Sequence, residues 1–147
     1  MIKKEKYSAS ILVIGDEILS GRTQDTNSNY IAKKMSEIGI EVSEIRVIPD
    51  EKETIIESVN ELRKINDYLF TTGGIGPTHD DITAESIALA FNIEININQD
   101  AFNLLENYYK EIGSPFNEVR QRMARIPSGA ILIDNPISKA PGFKLEN

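Results

Sequence analysis

The stretch Thr71-Thr72-Gly73-Gly74-Ile75-Gly76-Pro77-Thr78-His79-Asp80-Asp81-Ile82-Thr83 holds two kinds of residue whose chemistries oppose one another. Gly73, Gly74 and Gly76 let the backbone approach a ligand closely and adopt positive φ. A helical pattern follows at Ala84, Ile87, Ala88 and Phe91, and the free N–H groups at a helix start favour an anion, above all a phosphate. Asp80 and Asp81 would repel that phosphate. A divalent cation lying between carboxylate and phosphate reconciles the two. The structural alternative is a plain strand-to-helix turn, with the aspartates serving as partners of the helix macrodipole. No Lys-Ser or Lys-Thr follows the glycines, so the loop is not a Walker A motif. His79 stands where the dinucleotide fingerprint would need its third glycine.

The elements that must position this loop are legible from periodicity. Ser8–Ile14 reads as a buried strand, followed by a polar loop over 15–28. Ile31, Met35 and Ile38 recur at helical spacing, with Gly39 placed as the stop. Val42, Ile45 and Val47-Ile48 form a second strand ended by Pro49-Asp50; Ile55, Ile56, Val59 and Leu62 mark a second helix. Asp67–Thr72 is a third strand, leading into the glycine loop. This alternation predicts an α/β fold, a three-layer parallel sheet with helices on both faces and a mixed edge. In the second half, Ile93–Ile97 alternates as a short edge strand. Asp100 is expected to cap a helix with Phe102, Leu105, Tyr109 and Ile112 on one face, stopped by Gly113. Ser114-Pro115 is expected to open another helix carrying Phe116, Val119 and Met123, and Ala130–Ile133 reads as a further strand.

In an open parallel sheet, ligands bind beyond the carboxyl ends of the strands, where strand order reverses. Gly15-Asp16-Glu17, Pro49-Asp50 and the glycine loop all leave such ends, each bringing a carboxylate to one edge. Converging acids suit metal-assisted attack on a phosphoanhydride, with Asp16, Asp80 and Asp81 as candidate metal ligands. For Asp16 and Glu17 a capped turn is the alternative. Asp25-Thr26-Asn27-Ser28 reads mainly as a helix start, from which Asn27 could reach a ligand. His79 is the lone histidine and cysteine is absent, so zinc is not expected and oxygen-ligated Mg²⁺, Mn²⁺ or Co²⁺ is favoured. Arg120, Arg122 and Arg125 are read as a solvated face of one helix in preference to a phosphate clamp.

The glycine-loop sequence resembles the signature of the molybdopterin-binding (MoaB/Mog) domain superfamily. Gly-Pro-Thr-x-Asp-Asp-x-Thr over 76–83 resembles its competence/damage-inducible protein A (CinA) branch. Ile14–Gly21 with Asp25-Thr26-Asn27, Val47-Ile48-Pro49-Asp50, Asn135-Pro136 and Ala140-Pro141-Gly142-Phe143 extend the resemblance from about Ser10 to Phe143. The resemblance implies that Asp50 and Asp81 are the catalytic acids. It also implies that Gly73, Gly74, Gly76, Thr78 and Thr83 form a phosphate- and pterin-binding loop, and that Asp80 is the extra acid of the CinA branch. It implies hydrolysis of a dinucleotide pyrophosphate such as ADP-ribose or FAD with a divalent cation. Alternatives are adenylyl transfer to molybdopterin, or a pterin- or nucleotide-binding module without turnover. It extends to homo-oligomers, dimer or trimer, although no segment here marks an interface.

The net charge of −7 argues against nonspecific nucleic-acid or anionic-membrane binding; the resemblance implies a small nucleotide or pterin as the partner. Met1–Lys6 lacks the apolar stretch of a signal peptide, and no apolar run exceeds Ile87–Phe91; a cytoplasmic location is the expectation. At 147 residues the chain is expected to be a single domain. Lys144–Asn147 reads as the start of a further strand, which members of the family continue with a Gly-x-Pro loop; truncation at that end is expected.

Overall fold

The computed structural model describes residues 6–147, so most of Met1–Lys6 lies outside the described residues. The chain divides into two compact units, Met1–Gly74 and Ile75–Asn147.

The first unit is built around β1 (Tyr7–Ile14). Its residues from Ala9 to Ile14 are all buried, because both faces of a central parallel strand are covered. β2 (Ile40–Ile48) and β3 (Tyr68–Thr72) pair with it in parallel, in the order β2-β1-β3. Ser10 lies at a register shift between β1 and β2, and its hydroxyl is buried without a hydrogen-bond partner among the described residues. A short helical turn, α1 (Asp16–Leu19), interrupts the segment expected to be a loop; four residues are too few to show a period. α2 (Asn27–Glu37) packs on β1 and β2, and α3 (Lys52–Ile65) packs on β1 and β3. The crossovers from β1 to β2 and from β2 to β3 run in opposite directions across the sheet, and right-handed connections then place their helices on opposite faces. The sequence expectation of a parallel sheet sandwiched by helices holds in this unit.

The two helices bury their apolar faces unequally. Ile55, Val59 and Leu62 of α3 are fully buried, each worth about 1.5–3 kcal/mol relative to exposure. Ile31 and Met35 of α2 are only half-buried, and Ile38, which caps the helix, is exposed. Gly39 ends α2 at φ +79°, as a helix-stopping glycine should. On the sheet surface, Arg46 donates to Glu44 at 2.6 Å and to Glu61 at 2.6 Å; these two bonds, Glu44 first, raise its pKa further.

The second unit opens with α4 (Thr83–Ala90), whose Ile87, Ala88 and Ala90 are buried. Its strands are β4 (Ile95–Ile97), β5 (Arg125–Pro127), β6 (Ile131–Ile133) and β7 (Gly142–Lys144). β4 pairs with β5 and β6 with β7, both antiparallel. The antiparallel strands thus form separate two-stranded sheets, not the edge of the parallel one. The core of this unit joins Ala101 and Leu105 of α5 (Gln99–Glu111) to Ala124 and Ile126. Phe116 stacks on Tyr109 at 5.6 Å and meets Phe102 edge-on at 5.1 Å.

Local signals misplaced two helix starts here. The side chain of Asn98, not Asp100, caps α5 by accepting from Ala101 N at 3.0 Å. α6 (Glu118–Gln121) begins after Asn117, whose carboxamide accepts from Arg120 N at 3.1 Å, and not at Ser114-Pro115. Ile112 and Val119, grouped with the apolar helix faces in the sequence, are exposed. Gly113 closes α5 at φ +67°. The strand expected at Lys144–Asn147 runs instead over Gly142–Lys144. Among the described residues, no helix is long and apolar enough to cross a membrane.

Candidate functional site

Register fixes one edge of the parallel sheet as the place where the chemistry-bearing loops emerge. Ile14 pairs with Ile48, and Val13 pairs with Thr72, so Gly15, Pro49-Asp50 and Gly73 all leave the same edge. The chain leaves β1 toward β2, while β3 lies on the other side, so strand order reverses at β1. A cleft of about 180 Å³ opens at this point, lined by Glu17, Thr23, Thr26, Asn27, Thr72 and Gly73 among others. That is where an open α/β sheet accommodates a ligand. A larger cleft of about 250 Å³ lies in the second unit beside Phe91, Ser128 and Lys144. It sits at no parallel-strand end and holds none of the glycine-loop residues.

Gly73 shapes the floor of the first cleft. Its φ is +92°, and a Cβ there would lie 1.9 Å from the carbonyl oxygen of Ile14. β3 therefore leaves the sheet so close to the end of β1 that only glycine fits. An added Cβ at Gly76 would meet the Asp81 carboxylate at 2.7 Å, so a side chain there would have to displace it.

The carboxylates at the sheet edge hold the loops together. Asp16 N donates to Asp50 Oδ2 at 3.0 Å, and Asp50 N donates to Asp16 Oδ1 at 3.3 Å. This reciprocal pair ties the β1–α1 connection to the β2–α3 connection. Asp25 accepts from Ser28 N at 3.1 Å and from the Ser28 hydroxyl, which is the helix-start role expected of that cluster. Asn27 opens α2 and lines the cleft, with its side chain exposed.

In the second unit, Asp81 Oδ2 accepts from Thr78 N at 2.8 Å and from Thr78 Oγ1 at 2.7 Å, closing the turn ahead of α4. Thr83 starts α4 and is buried. Asp80 and His79 are exposed, with His79 Nε2 3.2 Å from Asp80 Oδ1. The three arginines do not share a helix. Arg120 lies in α6, Arg122 begins a 3₁₀ turn, and Arg125 is in β5. Arg120 is engaged with Ser114, Pro115 and the ring of Tyr109, and Arg125 lies 3.9 Å from Glu85.

Sequence reasoning gave Glu17 little weight and missed Thr23. Both face the cleft, and Thr23 carried no signal beyond a polar loop. Among the described residues no group of three or more His, Cys, Asp or Glu could hold a metal ion by itself. Of the acids expected as metal ligands, Asp16 lies at this sheet edge, with one carboxylate oxygen accepting from Asp50 N. A Mg²⁺-like ion is held by one or two carboxylates together with its own waters and substrate phosphates. A cage built wholly from protein ligands does not fit these residues.

Residues 10–147 match the family described as a probable molybdopterin binding domain. A CinA-like protein of Thermosipho melanesiensis is 39% identical over 136 residues, spanning 92% of this chain and 34% of that protein. The crystal structure of a CinA protein of unknown function from Thermoplasma acidophilum superposes with a TM-score of 0.85 at 31% identity, covering 95% of this chain and 82% of that one. The tungsten cofactor synthesizing protein MoaB of Pyrococcus furiosus is more distant, at a TM-score of 0.56 and 26% identity over 76% of this chain and 68% of that one. The chain belongs to the molybdopterin-binding domain family and is of its CinA type. It spans between about a third and about half of the length of the curated relatives it matches.

Proposed function

We propose that this domain binds a phosphate-bearing nucleotide in the cleft at the strand-order reversal and hydrolyses a dinucleotide pyrophosphate of the ADP-ribose or FAD type. The observation that carries this reading is the cleft itself: a pocket of mixed polar and apolar lining at the carboxyl edge of the sheet, with Gly73 pressed against Ile14 O. An anhydride threaded there would lie beside Thr23, Thr26 and Gly73. We assign acid–base work at this cleft to Asp50, and ligand contacts to Gly73, Gly74 and Asn27; the resemblance adds Asp81 as a second acid, with Gly76, Thr78 and Thr83 in a phosphate- and pterin-binding loop. In the reaction a water oxygen attacks one phosphorus, the bridging P–O bond breaks, and two phosphomonoesters leave. A carboxylate takes the proton of the water. A divalent cation held by Asp16, Asp80 or Asp81 together with the substrate would supply charge neutralisation.

The likeness to MoaB favours a second reading on the same phosphoanhydride: adenylyl transfer from ATP to molybdopterin. The two differ in nucleophile, water against a pterin phosphate. Incubation of the full-length protein with ADP-ribose, with FAD, and with ATP plus molybdopterin, each with Mg²⁺, Mn²⁺ or Co²⁺, separates them. Release of AMP from ADP-ribose or FAD supports hydrolysis, and adenylylated molybdopterin supports transfer. Binding of ligand with no product would leave a module without turnover.

A further inference from the structure

Among the acids at the sheet edge, Glu17 stands apart. Asp16 and Asp50 each accept a backbone N–H from the other's loop, and Asp25 accepts from Ser28 N at the start of α2. The Glu17 carboxylate lines the cleft, is half-buried, and has no hydrogen-bonding or cationic partner among the described residues. Its position is specific: the side chain folds back over Gly15, where a Cβ would meet Oε1 at 2.6 Å and Oε2 at 2.7 Å. Gly15 has φ 167°, an extended conformation open to any residue, so neither backbone strain nor a turn requires glycine there. What its missing side chain provides is room for the carboxylate of Glu17.

This carboxylate faces a cleft whose proposed ligand is also anionic. We propose that Glu17 is an electrostatic gate. Its carboxylate, seated on Gly15 inside the cleft, excludes phosphate-bearing ligands that arrive without a divalent cation and admits those that carry one. This rests on the reading of the cleft as a phosphate-binding site. It adds that selectivity for the cation-bound form of the ligand resides in Glu17, apart from the aspartates assigned to turnover.

Two substitutions act on the gate by different routes. Glu17→Gln removes the charge and keeps the shape. Gly15→Ala keeps the charge but displaces it, since the added methyl can be accommodated only by moving the flexible end of Glu17. Calorimetric titration of the full-length protein and both variants uses ADP-ribose and, separately, inorganic pyrophosphate, each with Mg²⁺ and with EDTA. Circular dichroism and melting confirm that the variants fold. The expected result is that wild type binds in Mg²⁺ and loses at least about tenfold in EDTA, whereas both variants bind in EDTA about tenfold more tightly than wild type. Equal cation dependence in all three proteins overturns the gate. Binding of pyrophosphate but not ADP-ribose contradicts the nucleotide reading alone, and the gate is then judged on pyrophosphate by the same comparison. Binding of neither probe overturns both.

Discussion

Replacing Gly73 with alanine tests whether the cleft floor is fixed by a backbone contact that only glycine allows. The Cβ would lie 1.9 Å from Ile14 O, about 1 Å short of the closest approach real Cβ atoms make. The obstacle is main chain at the end of the central strand, which no rotamer change can relieve. Alanine at this positive φ costs about 1–2 kcal/mol by conformation, and forcing the two backbones apart adds about 1–3 kcal/mol. Gly39→Ala is the matched control. It lies in the same unit at φ +79°, with nothing within 4 Å of the added Cβ, so only the conformational cost applies. The entropy that alanine removes from the unfolded chain is similar at both positions and cancels in the comparison. Gly73→Ala should therefore be about 2 kcal/mol less stable than Gly39→Ala in urea unfolding, or about 4–8 °C lower in Tm for a chain of this length. It should also lose affinity for ADP-ribose with Mg²⁺, while Gly39→Ala should not. If the two variants unfold within about 0.5 kcal/mol of each other, the close approach of β3 to Ile14 is not what demands glycine, and the account of the cleft floor fails.

Asp50→Asn keeps an acceptor for Asp16 N and should stay within about 1 kcal/mol of wild type while turnover falls about 10²–10⁴-fold. Asp50→Ala should lose a further 1–2 kcal/mol or so, and equal stability of the two variants would refute the reciprocal tie to Asp16. Asp81→Asn preserves a partner for Thr78 and should likewise fold; a fall in turnover of less than about threefold would make Asp81 a turn-former alone. Asn98→Ala should cost about 1 kcal/mol through loss of the α5 cap, whereas Asp100→Ala should cost only a few tenths; the reverse order in thermal unfolding would reject the observed cap. EDTA should abolish turnover of whichever pyrophosphate is the substrate, and full activity in metal-free buffer would remove the cation from the reaction.

The first half of the fold was legible because its signals were redundant. Buried apolar strands, helical spacing at Ile55, Val59 and Leu62, and Gly39 at a helix end all pointed the same way, and short connections implied the parallel order. The second half offered competing cues. Asn98 and Asp100 are both good caps, as are Ser114 and Asn117, and the winner is decided by which side chain reaches a free N–H in the folded chain. The arginine spacing suggested one helix because sequence does not reveal that the chain passes from α6 through a 3₁₀ turn into β5. At the site, sequence showed which acids leave which strands. It could not show that Asp16 and Asp50 engage each other's backbone, that Asp81 holds the Thr78 N–H, or that a carboxylate lies against Gly76. Those are contacts between side chain and main chain, and no residue pattern encodes them.

The central claim is the location of the ligand, and backbone amide chemical-shift mapping with ADP-ribose and Mg²⁺ tests it most directly. The account predicts the largest saturable shifts at Glu17, Thr23, Asn27, Thr72 and Gly73, around the cleft where strand order reverses. Shifts centred instead on Phe91, Ser128, Gly129 and Lys144, in the larger cleft of the second unit, would contradict it.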